Sequence, residues 1–147
     1  MRTFIFAVAL VASIAPRAMA DPKAEVLQFV EKWAKAFNES DVDGIVALYA
    51  PDTLFMGTGS KTLVTQTADI RKYFENALLN NRPRGAALKD SAVMALSDTA
   101  FLVTGLDAVT GVRDGKSYTN PGRVTFVIAK RGADWKIVHF HRSAMPQ

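Results

Sequence analysis

The chain contains no cysteine among its 147 residues. Disulfides, thiolate metal ligands and cysteine nucleophiles are therefore excluded. The chain also has no large excess of charge of one sign, with 18 Lys+Arg and 14 Asp+Glu. Its basic residues are scattered and form no continuous block in the sequence. A protein that binds nucleic acid would need such a block, so no nucleic-acid partner is expected. Histidine is rare as well, with His139 and His141 as the only two.

Long apolar runs are limited to the N-terminus. Met1–Thr3 is short and basic, Phe4–Ala15 is apolar, and Ala18–Ala20 has the small-x-small pattern of a signal peptidase site. This order is typical of a secretory signal peptide, and the run is shorter than the roughly 20 residues that span a bilayer. We expect residues 1–20 to be cleaved after Ala20. The mature domain, 21–147, is expected in the periplasm or secreted, away from the membrane.

Apolar residues recur at helical spacing in the first half of the mature chain. The predicted elements are a helix over Lys23–Asn38, a short helix through Ile45 to Tyr49, a brief strand at Leu54–Met56 and a helix over Ala68–Leu79. Capping residues precede each helix: Asp21 the first, Ser40 or Asp41 the second, and Thr67 the third.

The second half of the chain changes to short β-rich runs. They cover 86–96, 99–110, 121–130 and 135–143, and a polar loop over Gly111–Asn120 separates the middle two. Helices followed by a mostly antiparallel sheet indicate an α+β domain.

The last segment, Trp135-Lys-Ile-Val-His-Phe-His-Arg-Ser-Ala-Met-Pro146, resembles the C-terminal strand of the calcium/calmodulin-dependent protein kinase II association domain. That domain is the kinase's oligomeric hub and has the nuclear-transport-factor-2-like fold. The chain is also similar to bacterial SnoaL-like and SgcJ/EcaC-type proteins at Trp33–Ala36, Asp41–Leu48, Tyr49–Asp52, Ile70–Glu75 and Arg123–Val127.

This resemblance implies a cone-shaped, cystatin-like domain. N-terminal helices would pack on a strongly curved, mostly antiparallel sheet and leave a conical pocket, the usual place for a ligand. The fold hosts isomerases, dehydratases, cyclases, hydrolases and assembly domains, so it does not define an activity. A kinase is not expected, because the chain has neither a glycine-rich nucleotide loop nor a catalytic-loop aspartate.

The two histidines lie on the last predicted strand. Strand alternation places Trp135, Ile137, His139, His141 and Ser143 on one face. Histidine titrates near neutrality, so His139 could act in proton transfer and His141 could bind a ligand. No further ligand is spaced nearby, so we expect no metal. Alternatively, His141 makes structural hydrogen bonds together with Ser143 at a sheet end or subunit interface.

Asp107 and Arg123 are the charged candidates on the other strands. Asp107 could be a general base if it projects into an apolar cone, although the nearby Thr110 and Asp114 favour an exposed position. Arg123 matches an arginine that is usual in the bacterial relatives and could clamp a carboxylate. It could equally pair with an acidic neighbour such as Asp107.

Trp33 and Tyr49 are the aromatic residues most suited to reach the pocket, because their polar tips need a partner.

Three functions remain open for this chain. The first is an exported, oligomerising domain that binds a small molecule in its cone without a cofactor. The second is a cofactor-free isomerase, dehydratase or cyclase acting on a small hydrophobic carbonyl or hydroxy compound. The third is a periplasmic partner-binding domain with an empty cone.

Overall fold

The computed structural model describes residues 21–146, and the expected signal peptide lies outside them. The elements in chain order are α1 (Pro22–Asn38), α2 (Val42–Ala47), β1 (Tyr49–Met56), α3 (Thr67–Phe74), a π-helical turn (Glu75–Leu79), β2 (Gly85–Ser97), β3 (Ala100–Arg113), β4 (Lys116–Arg131) and β5 (Asp134–Ala144). None of the helices in this range is long and apolar enough to cross a membrane.

The helix starts follow the expected capping chemistry at two of three places. Asp21 accepts a hydrogen bond from the Lys23 amide at 3.0 Å, and Asp41 accepts one from the Gly44 amide at 2.8 Å. At α3, Thr67 is the first helical residue rather than the cap, and no side chain caps this helix.

The five strands form one sheet in the order β1-β5-β4-β3-β2. β1 runs parallel to β5, whereas the other neighbouring pairs are antiparallel. The predicted α+β class with a mostly antiparallel sheet is therefore confirmed. One face of α1, containing Val26, Val30 and Trp33, is buried against the inward face of the sheet.

The connection between β3 and β4 is much shorter than the predicted ten-residue loop. Both strands continue to a two-residue turn at Asp114-Gly115, with φ of 51° and 71°. Positive φ at both positions is the type I′ geometry that an Asp-Gly pair favours in hairpins. As a result, Arg113 and Tyr118 belong to strands near the end of a long hairpin.

β5 contains a bulge that changes which side chains face inward. Ile128 pairs with Ile137 and Val127 pairs with His139, so Val138 is an extra residue in the ladder. A bulge shifts the two-residue alternation by one position. Ile137 faces the core, but beyond the bulge the inward residues are Phe140 and Arg142. The predicted shared face of Ile137, His139 and His141 is therefore wrong.

Candidate binding site

A cavity of about 260 Å³ lies between the helices and the inward face of the sheet. Its wall combines aromatic rings with arginine side chains and has no acidic residue. The lining residues are Trp33, Phe37, Thr58, Gly59, Tyr73, Phe74, Ala77, Arg84, Val109, Arg113, Tyr118, Asn120, Phe140 and Arg142. The expected conical pocket is present at this position, and its volume is near the lower end for ligand sites, which is roughly 300 Å³.

Arg142, on β5, is the best-anchored polar group of the wall. Its Nε donates to Asp107 Oδ2 at 2.6 Å, and Nη1 donates to Thr58 Oγ1 at 2.8 Å. Nη2 donates to the Asn120 carbonyl oxygen at 2.9 Å. An arginine has about five N–H donors, so two remain for a ligand. Because three elements hold this guanidinium, it meets a ligand without reorganisation.

Asp107 is buried rather than exposed, contrary to the sequence-based expectation, and its partner is Arg142 instead of Arg123. The side chains of Asp107 and Arg142 are only 5% and 9% exposed. Asp107 Oδ1 has no hydrogen-bond partner within the described part of the chain. Asp107 lines a separate void of about 20 Å³ under α1, large enough for one water molecule.

Gly122 makes room for this ion pair. It lies opposite Asp107 on β4, and a Cβ at this position would come within 2.5 Å of Arg142 Nη2 and 2.7 Å of Asp107 Oδ1. Two buried, hydrogen-bonded charges cannot easily move aside. Gly122 therefore serves side-chain packing in the middle of β4 and does not form a turn.

Two further arginines surround Tyr118 near the end of the β3–β4 hairpin. The Arg84 guanidinium lies 5.8 Å from the centre of the Tyr118 ring and that of Arg113 lies 5.4 Å from it. Arg84 Nη1 also donates to the Tyr118 hydroxyl, while Arg84 Nε is buried without a partner among the described residues. This Arg–Tyr–Arg group forms one end of the cavity wall.

Tyr73, on α3, adds a neutral hydroxyl to the wall. Burial raises the pKa of this phenol, opposed by the backbone amides of Gly59 and Thr58 and by the charges of Arg142 and Arg84. Its hydroxyl remains protonated at neutral pH and can donate a hydrogen bond.

Trp33 and Tyr49 bond to each other rather than to a ligand. The Trp33 indole N–H donates to the Tyr49 hydroxyl at 2.9 Å in the core. Burial raises the pKa of Tyr49 well above its usual value, and the bond from Trp33 opposes this shift only in part. Trp33 lines the cavity with its ring, whereas Tyr49 does not belong to the wall.

His139, His141 and Arg123 lie on the outer face of the sheet, away from the cavity. His139 is partly buried, and this burial, followed by the nearby His141, lowers its pKa, with a hydrogen bond to the Leu54 backbone opposing the shift. His141 and Arg123 are exposed, and Arg123 Nη2 donates weakly to the Ala144 carbonyl at 3.4 Å. The structure thus does not bring either histidine to Asp107. No group of three or more His, Asp or Glu that could hold a metal occurs within residues 21–146.

The sequence patterns did not identify Arg84, Arg113 and Arg142 as candidate site residues. Arg84 lies between the predicted helix that ends at Leu79 and the β-rich run that begins at residue 86, and Arg113 lies in the predicted loop. The bulge at Val138 turns Arg142 inward, which strand alternation alone does not predict. One signal was available. The Asp114-Gly115 pair between alternating residues predicts a tight hairpin, and that hairpin places Arg113 and Tyr118 side by side.

A helix enclosed by a curved sheet, with a cavity between them, defines the nuclear-transport-factor-2-like, or cystatin-like, class of folds that solved relatives share. Residues 26–147 match the model of the SnoaL-like domain, and the chain therefore belongs to this family.

Similar proteins include the calcium/calmodulin-dependent protein kinase type II alpha chain of Drosophila melanogaster, which is 27% identical over 123 residues. That match covers 82% of this chain but only 23% of the kinase. A Xanthomonas campestris protein assigned to the kinase II association domains superposes with a TM-score of 0.80 and 27% identity, covering 95% of this chain and 99% of that one. A Novosphingobium aromaticivorans protein assigned as a scytalone dehydratase shares the fold at a TM-score of 0.75 and 11% identity, with 84% of each chain covered.

Proposed function

We propose that this protein binds a small organic acid in the cavity of its cone. The observation that carries the proposal is the wall itself. Among the residues that the structure describes, Arg84, Arg113 and Arg142 are its only charged members, and none of its members is a carboxylate. Guanidinium groups recognise carboxylates through paired, charge-assisted hydrogen bonds. Asp107 compensates Arg142 from outside the wall, so the cavity keeps an excess of positive charge.

The rest of the wall suits a flat apolar body. Trp33, Phe74 and Phe140 supply aromatic surface next to Arg142, whose two remaining N–H groups can receive a carboxylate. The cavity, at about 260 Å³, has space for a benzene ring with one or two small substituents. We therefore propose small aromatic or similarly compact acids as ligands.

Benzoate and benzamide test this proposal, because they share one shape and differ in charge. We expect benzoate to bind at least about tenfold more tightly than benzamide, since a hydrogen bond to a charged group is worth about 1.5–3 kcal/mol. Isothermal titration calorimetry with the mature protein measures both affinities. Equal affinities, or no binding of benzoate, would contradict an acid-binding cone.

A matched pair of variants locates the benzoate site. Arg142→Lys keeps a positive charge beside Asp107 but loses the planar fork, and we expect benzoate to bind about tenfold more weakly. Arg123→Lys makes the same change on the outer face of the sheet and should leave the affinity as it is. Equal weakening in both variants would mean that general charge, rather than the cavity, attracts benzoate.

We further propose that two copies associate through the outer face of the sheet. This face exposes Leu54, Met56, Met94 and Leu106, with Met94 61% exposed. Leu54 and Met56 lie on β1, and Leu106 and Met94 lie on β3 and β2 across the sheet. Exposed apolar side chains on both sides of one face favour contact with a second copy. His139 and His141 lie in the same face, and the lowered pKa of His139 keeps it neutral at pH 7.

Leu106→Lys should therefore shift the protein to monomer, as measured by sedimentation velocity, because a charge would be buried in the contact. Leu63→Lys is the matched control, since Leu63 is 50% exposed, comparable to Leu106 at 43%, but lies in the loop after β1. A monomeric wild-type protein would overturn the assembly proposal.

Export is part of the same proposal and rests on residues 1–20. Purification from the native host should give a mature chain that begins at Asp21 in mass spectrometry.

The alternative function, a proton-transfer enzyme, is supported by the burial of Asp107 and by the fold that the chain shares with dehydratase-like proteins. It has less support than binding, because Asp107 is bonded to Arg142 and does not belong to the cavity wall.

A further inference from the structure

We infer that the cone selects a dianion, a compact molecule with an acid group at each of two ends. This inference rests on the proposed acid-binding function and specifies its ligand class. Its basis is that the cationic groups of the wall form two separate sets, one at Arg142 and one around Tyr118.

The positive charge of the cavity wall favours more than one anionic group. Three arginines reach the wall, and only Arg142 has a carboxylate partner, Asp107. Arg84 and Arg113 form no salt bridge with any residue between 21 and 146. A monoanion on Arg142 would leave the half-buried Arg84 without an anionic partner, whereas Arg113 is exposed to solvent.

The two sets are separated along β4. Arg142 donates to the carbonyl of Asn120, whereas Arg84 and Arg113 flank the ring of Tyr118, two residues earlier on the same strand. Two residues of a strand span roughly 7 Å. A carboxylate bound at Arg142 therefore leaves the Tyr118 end available for a second acid group at the other end of a ring-sized molecule.

The Tyr118 end also has a donor without a partner. Arg84 Nε is buried and makes no hydrogen bond within the described chain, although its Nη1 is engaged by Tyr118. A buried unsatisfied N–H is unfavourable, and an anionic oxygen is the strongest acceptor for it. Arg84 is therefore the residue that we assign to the second acid group, with Arg113 contributing charge.

Terephthalate and 4-carbamoylbenzoate test the second acid group, because they differ only in whether that group is charged. We expect terephthalate to bind about ten- to a hundredfold more tightly. Arg84→Gln should reduce this ratio to within about threefold of unity. The exposed Arg82, outside the cavity wall, provides the control, and Arg82→Gln should keep the full ratio. Circular dichroism and thermal unfolding confirm that both variants fold.

The outcomes separate the two proposals. If benzoate binds but terephthalate has no advantage over 4-carbamoylbenzoate, the dianion inference fails and acid binding stands. If the advantage exists but survives Arg84→Gln, the assignment of the second end to Arg84 is wrong. If neither benzoate nor terephthalate binds, the acid-binding function fails and the inference fails with it.

Discussion

Arg142→Met is expected to lower the free energy of unfolding by about 3–5 kcal/mol, because it leaves Asp107 buried without its partner. The Asp107 side chain is 5% exposed, so bulk water has little access to this carboxylate. The loss also frees the Thr58 hydroxyl and the Asn120 carbonyl, which both bond to Arg142. Urea unfolding followed by circular dichroism measures the change.

The double variant Asp107→Val/Arg142→Met distinguishes a stranded charge from lost packing. When both charges are removed, no buried ion remains, and apolar replacement of a buried pair is often neutral or stabilising. We therefore expect the double variant to lie within about 1–2 kcal/mol of the wild type. A single variant that loses less than about 1 kcal/mol would mean that Asp107 finds water or another donor in the native state.

The expected recovery of stability in the double variant bears on the role of the Asp107–Arg142 ion pair. An ion pair that can be replaced without loss of stability is not retained for stability alone. Asp107 holds Nε of Arg142, while Thr58 and Asn120 hold the other two nitrogens. This arrangement fixes the position of the guanidinium, which lines the cavity. We interpret the pair as a means of orienting an anion-binding guanidinium.

The order of helices and strands followed from local patterns in the sequence. The stripe of α1, its cap at Asp21 and the alternating runs of the second half depend on neighbours in sequence, which period and propensity describe well. The cone and its cavity came instead from the resemblance carried by segments such as Trp135–Ser143. Neither source indicated the chemistry of the wall.

The site was harder to predict because it depends on two local departures from regular geometry. The bulge at Val138 turns Phe140 and Arg142 inward and sends His139 outward, and no residue type at these positions signals a bulge. The space over Gly122 accommodates two charges from other strands. Such a space arises only from tertiary packing, which the local sequence does not show. Asp107 was therefore expected to be exposed to solvent.

Phe140→Ala is the second substitution with a large expected effect. The Phe140 ring stacks on Trp33 and Phe55 at centroid distances of 5.5 and 5.1 Å, and it meets Phe126 edge-on at 5.1 Å. Phe140 is 2% exposed. Truncation to alanine leaves a cavity among rigid rings that cannot close it, so we expect a loss of about 3–5 kcal/mol. Urea unfolding gives the value directly.

Two further variants serve as controls for Phe140→Ala. Phe140→Leu keeps most of the volume and should lose clearly less than the alanine variant, about 1–2 kcal/mol. Leu63→Ala, at an exposed loop position, should stay within about 0.5 kcal/mol of the wild type. Since Phe140 also lines the binding cavity, the alanine variant enlarges that cavity next to Arg142. If Phe140→Ala lost no more than Phe140→Leu, the aromatic cluster would be able to repack, and the cavity would not be the rigid, preorganised site on which acid recognition depends.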